Sequence, residues 1–70
     1  MTIGAKIAAC RKRVGMSQEK LANELNISRQ AVSRWETGEA VPDTEKVIQL
    51  SRIFHVTTDY LLLDIDEAPQ

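Results

Sequence analysis

Ser17-Gln18-Glu19-Lys20-Leu21-Ala22-Asn23-Glu24-Leu25-Asn26-Ile27-Ser28-Arg29-Gln30-Ala31-Val32-Ser33-Arg34-Trp35-Glu36-Thr37-Gly38 is the stretch that decides the fold. It reads as two short helices joined by a very tight turn. Ser17 suits an N-cap, because its hydroxyl can accept an orphan amide of the first helical turn. Leu21, Ala22 and Leu25 recur at helical spacing and give one apolar stripe. Asn26 falls just past the stripe, and asparagine readily takes the left-handed conformation that ends a helix. Ile27 is apolar inside the turn and is expected to plug the angle between the helices. Ser28 is a second N-cap, and Arg29 opens the next helix. So short a connection forces the two helices to meet at a steep angle.

Winding the second helix from Ser28 at about 100° per residue brings Ala31, Val32 and Trp35 to one side. Gln30, Ser33 and Thr37 point the opposite way, flanked by Arg29 and Arg34. A solvated polar face is the commoner meaning of such a pattern on any one helix. Two features favour nucleic acid instead. The face holds no carboxylate except Glu36, which lies beside the apolar stripe. Arginine and glutamine are also the side chains that pair with guanine and adenine edges in a DNA major groove.

The chain resembles the Cro and repressor-type helix-turn-helix family of bacterial and phage regulators, often called the Xre family. The residues that carry the resemblance are Gly15-Met16-Ser17-Gln18-Glu19, Leu21-Ala22, Ile27-Ser28, Val32-Ser33, Trp35-Glu36, Gly38, Pro42 and Val56-Thr57-Thr58-Asp59-Tyr60-Leu61-Leu62. The likeness runs from about Ile3 to Leu63. It implies that the first helix of the motif crosses the phosphate backbone while the second enters the major groove. Gln18 matches a family position that meets a phosphate, and free amides at a helix N-terminus suit an anion in any case. Arg29, Gln30, Ser33 and Arg34 match base-facing positions. With Ser28 and Thr37 at the two ends of the helix, these residues form the candidate DNA-contacting set. Arg11 and Glu36 match a pair that some phage repressors bury as an ion pair. The resemblance also implies double-stranded DNA as partner, a palindromic operator, a homodimer on it, and a transcriptional regulator, by class a repressor. One departure stands out: the loop after the second helix is basic in several relatives, but here it is Glu39-Ala40-Val41-Pro42.

Seventy residues allow one domain, and a chain this short buries only about 60% of its unfolded surface. Cys10 is alone, so there is no disulfide framework. No signal peptide and no apolar run of membrane length is present, so a cytoplasmic location and no membrane partner are expected. The net charge of −1 hides a division: residues 1 to 38 carry seven basic and three acidic groups, while residues 39 to 70 carry two basic and seven acidic. Local basic surface, not total charge, steers a protein to phosphate.

An all-α domain of five helices over residues 1–63 is expected, with residues 64–70 as an acidic tail or linker. The first helix runs from Ile3 to Val14, with Ile3, Ile7, Cys10 and Val14 as its buried stripe and Gly15 ending it. Asp43 or Thr44 caps the fourth helix, whose buried face is Val47, Leu50, Ser51 and Phe54. His55 falls near its end, where a cation suits the helix dipole. Thr57 caps a short fifth helix with Tyr60, Leu61 and Leu62. The apolar end from Tyr60 to Ile65 is a candidate dimer seam. Cys10 reads as a small core residue, since no histidine or second cysteine accompanies it.

Paired carboxylates, a nucleophile with its base, a metal-ligand cluster and a phosphate loop are all missing from the sequence, so neither enzyme chemistry nor a cofactor is expected. The alternative to DNA binding is a protein-interaction module of the same fold, such as an antitoxin or adaptor, which the acidic C-terminal half would suit.

Overall fold

The structure is a computed structural model and describes residues 1–63. Its five helices are α1 (Ile3–Arg13), α2 (Gln18–Leu25), α3 (Arg29–Thr37), α4 (Thr44–Phe54) and α5 (Thr58–Leu62). No strand occurs among the described residues. The acidic segment 64–70 and Ile65 of the expected seam lie outside them.

Each helix starts on a polar side chain. The oxygens of Thr2, Ser17, Ser28, Asp43 and Thr57 accept the amides of Ala5, Lys20, Ala31, Lys46 and Tyr60 at 2.9 to 3.2 Å. Such a cap contributes about 1 kcal/mol over alanine. Of the two residues the sequence left open for α4, Asp43 is the cap. Three helices stop on left-handed residues: Asn26 at φ 59, Gly38 at φ 86 and His55 at φ 57. Helix α1 stops one residue earlier than its periodicity suggests, at Arg13. Val14 is its C-cap, and Gly15 follows at φ 76. The amides of Gly15 and Met16 turn back onto the carbonyls of Lys12 and Arg11. Val14 therefore leaves the buried stripe and is 37% exposed.

The core draws on every helix: Ile7 and Cys10, Leu21, Ala22 and Leu25, Val32 and Trp35, Val47, Leu50 and Phe54, then Val56, Tyr60 and Leu61. Ile3 and Ile27 pack at its edge, the latter in the turn between α2 and α3. Ser51 is only half-buried, and its hydroxyl donates to the carbonyl of Ile48. Lys6 was not foreseen inside, yet it is 1% exposed. It lies three residues after Ile3 and four before Cys10, so the helical period does put it on the inner side.

Candidate nucleic-acid interface

Helix α3 is presented by α1 and α2, and the seat against α1 is very close. A Cβ added at Gly4 would stand 2.1 Å from the carbonyl oxygen of Trp35 and 3.2 Å from that of Glu36. The obstacle is backbone, so no side-chain rotation can relieve it. Only glycine lets the first turn of α1 lie against the last turn of α3.

Further along the same contact a chain of polar side chains links the three helices. Arg11 Nε donates to Glu36 Oε2 at 2.7 Å, and Arg11 Nη2 donates to Oε1 at 3.1 Å. Arg11 Nη1 also donates to the Met16 carbonyl at 2.9 Å. Gln18 Nε2 donates to Glu36 Oε1 at 3.1 Å. Arg29 Nη1 reaches Gln18 Oε1 at 3.5 Å, a long contact. The network runs from α1 into α3, across to α2, and back to the first residue of α3.

The side chains of Arg11 and Glu36 are 12% and 9% exposed. Burial by itself would push the Glu36 carboxyl up. Hydrogen bonds from Arg11 and Gln18, with the charges of Arg11 and Lys12, outweigh it and hold the group below its ordinary range. The hydrogen bond to Glu36 raises Arg11 in turn, against a smaller effect of burial. Cys10 is buried, which pushes its thiol up despite the nearby charges of Arg13 and Lys6. That favours the neutral form of a core residue.

Around this support the outer side of α3 is open. Ser28, Arg29, Gln30, Arg34 and Thr37 are exposed and Ser33 is half-buried. Two hydroxyls are partly engaged: Ser28 Oγ accepts the amide of Ala31, and Thr37 Oγ1 donates to the Arg34 carbonyl. Gln18 is half-buried and lies beside this face, with its amide committed to Glu36. Resemblance to the family singled out Gln18 in the sequence, but its link to Glu36 and its long contact with Arg29 depend on how α2 crosses α3.

Three basic residues of α1 serve other ends. Arg11 holds Glu36. Arg13 Nη2 donates to the Phe54 carbonyl at the end of α4, at 2.6 Å. Lys6 Nζ donates to the carbonyls of Tyr60 and Leu63. The basic half of the chain is thus partly spent inside. Lys12, Lys20, Arg29 and Arg34 are its exposed cations that no such tie engages, the long Arg29 contact apart. The loop between α3 and α4 presents Glu39, Ala40 and a 72% exposed Val41, while Pro42 turns inward.

Two capped helices at a tight left-handed turn, the second with a carboxylate-free outer face, define a helix-turn-helix module. The chain belongs to the helix-turn-helix family, whose model matches residues 7–61. It is 39% identical over 70 residues to the SPbeta prophage-derived HTH-type transcriptional regulator YonR of Bacillus subtilis, covering 91% of this chain and 65% of that protein. It is 36% identical over 62 residues to the HTH-type transcriptional regulator ImmR of the same organism, covering 89% of this chain and 49% of that one. The chain thus spans about half to two thirds of the length of these relatives. Its structure is similar to that of the P22 c2 repressor in complex with a synthetic operator, with a TM-score of 0.86 and 32% identity, covering 93% of this chain and 98% of the other. No helix among the described residues is long and apolar enough to cross a membrane.

Proposed function

We propose that this domain binds double-stranded DNA in a sequence-specific way, with α3 in the major groove, and acts as a transcriptional regulator of the repressor class. The observation that carries the reading is the outer face of α3. Arg29, Gln30 and Arg34 are exposed on it, and the helix's one carboxylate, Glu36, is turned inward and neutralised by Arg11. Gln30 and the two arginines can address base edges, with Ser33 beside them. Ser28 and Thr37 lie at the ends of the helix, where backbone phosphates would pass in such a complex. Gln18 lies beside this set on α2: its oxygen is a long 3.5 Å from Arg29 Nη1, and its position at a helix N-terminus favours a phosphate. The relatives named as transcriptional regulators and the P22 repressor's operator complex support the same conclusion.

A two-fold site needs two copies held about 34 Å apart. The expected seam is narrower than the sequence suggested, because Tyr60 is buried at 8% exposure. What remains open is Leu62 and Leu63, at 59% and 52%, with Met1 at 61% beside them. These residues, with Thr2, Ile3 and Leu61, line a shallow hollow of about 400 Å³. Two such apolar surfaces meeting would pair the domains without touching α3.

Selection of bound sites from a random duplex pool tests the reading, followed by titration of the winning site in salt. A palindromic sequence should emerge, and log affinity should fall with log salt by about 0.9 per phosphate neutralised. No enriched sequence, or an affinity insensitive to salt, would overturn it.

A further inference from the structure

Lys6 is a cation inside the domain at 1% exposure. Its ammonium donates to the Tyr60 carbonyl at 2.7 Å and to the Leu63 carbonyl, and lies 4.9 Å from the centre of the Tyr60 ring. Helix α5 has five residues, too few to be stable alone. Carbonyls at the end of a helix lack partners within it. A buried cation that donates to them acts as a cap supplied from another helix, and such charge-assisted bonds are strong.

The same helix carries the reading face. Gly4 seats α1 on the Trp35 carbonyl, and Arg11 grips Glu36. Helix α1 is therefore one strut with α3 fixed along one side and the last described turn of the chain fixed to the other. We infer that Lys6 is a positioning residue for two-site DNA reading: its ammonium ties the chain at Tyr60 and Leu63 to α1, and so sets the direction in which the Leu62–Leu63 surface faces relative to α3. The inference rests on the proposed DNA binding and on a second copy meeting at that surface. A domain with this tie cut keeps its core and its reading face but loses the fixed separation between two reading helices.

The test uses the full chain with Lys6→Met, which keeps the aliphatic stem and drops the ammonium. Affinity is measured for a single half-site and for a palindrome with half-sites one helical turn apart, alongside amide exchange at Leu61 and Leu63. The expected result is an unchanged half-site affinity, a roughly tenfold weaker palindrome affinity, and faster exchange at the two amides. Lys6→Arg, which keeps a cationic donor, should recover part of the palindrome preference. A merely structural lysine would lower both affinities together, and that result, or an unchanged palindrome affinity, overturns the inference. Should Lys6→Met fail to fold, exchange in the unaltered protein decides. The tie requires Leu61 and Leu63 to open together with α1, and their separate earlier opening refutes it. If the unaltered protein binds neither duplex, the DNA reading and the positioning role fall together, while exchange still reports whether the tie exists.

Discussion

Helix α1 buries two cations, and it satisfies them in opposite ways. Arg11 meets an opposite charge, and the pair keeps an edge toward water at 12% and 9% exposure. Lys6 is sealed in, and main-chain carbonyls take its protons. The first arrangement ties α1 to the reading helix through a group that can titrate. The second ties α1 to α5 through acceptors that cannot. The difference separates what each helix end can respond to: acid can loosen the grip on α3 through Glu36, whereas the carbonyl side of the Lys6 tie is fixed by the backbone.

Removing one partner from each tie separates the charged acceptor from the neutral ones. Glu36→Ala strands Arg11 and frees Gln18. Losing one partner costs about 3–5 kcal/mol in a fully buried pair and about 0–1 kcal/mol in an exposed one. For this part-buried pair about 2–3 kcal/mol is expected. Lys6→Met strands two carbonyls, together on the order of 2–6 kcal/mol if left without partners, but it also removes the several kcal/mol that desolvating the buried ammonium costs, which leaves a smaller net loss. Urea unfolding should therefore show the larger loss for Glu36→Ala. A larger loss for Lys6→Met would mean that the ammonium holds more of the fold than its two carbonyl bonds explain.

Gly4→Ala probes the backbone seat between α1 and α3 with no charge involved. Overpacking of this kind costs about 1–3 kcal/mol, offset by up to about 1 kcal/mol of better helix propensity for alanine. A net loss of about 2 kcal/mol in thermal or urea unfolding is expected. No loss would show that α1 can slide on α3 and is not a fixed strut.

Acid sharpens the contrast. The Glu36 carboxyl is held below its ordinary value in the folded chain. Its contribution is therefore fully present above the unfolded value of 4.5 and is lost as pH falls through the lower folded value. Stability of the unaltered protein should fall below that point more steeply than stability of Glu36→Gln. Parallel curves would show that the pair contributes nothing to acid sensitivity.

The same comparison bears on what was legible in the sequence. All five helices, the caps Ser17, Ser28 and Thr57 and the left-handed Asn26 could be read locally, with the α4 cap narrowed to Asp43 or Thr44, because they depend on neighbours within a few residues. The Arg11–Glu36 pairing was suggested by resemblance to repressors and not by spacing. Lys6, Arg13 and Gly4 were missed for a shared reason. Each acts on a backbone carbonyl far along the chain, and a carbonyl has no residue identity to signal it. Lys6 even occupies an inward helical position, but residue type argued more strongly for a solvated charge. Counting Lys6 and Arg11 toward a phosphate-steering surface consequently overstated that surface.

On the reading face the expected effect is of similar size but appears in binding alone. Gln30→Ala should weaken a cognate duplex by roughly 1–3 kcal/mol while leaving a scrambled duplex almost untouched, since no charge is lost. Gln18→Ala is the informative partner. Gln18 lies at a helix N-terminus, where a phosphate contact carries no base preference, so its loss should weaken both duplexes about equally. Competition binding of both variants on the two duplexes is the measurement. Equal losses for Gln30→Ala would make that residue a backbone contact.

The smallest effect is expected at the far end of α4, where a third cation from α1 acts. His55 ends that helix at φ 57, a conformation costing a non-glycine residue roughly 1 kcal/mol. Arg13 donates to the carbonyl of Phe54 immediately before it. His55→Gly relieves the backbone and should stabilise the domain by up to about 1 kcal/mol, less any contact the exposed imidazole makes. In an Arg13→Ala background the gain should persist, because a dihedral preference does not depend on the guanidinium. If the gain vanished there, Arg13 would be the group that forces the left-handed turn. The α4 terminus would then join the Lys6 tie as a backbone shape imposed by a cation of α1.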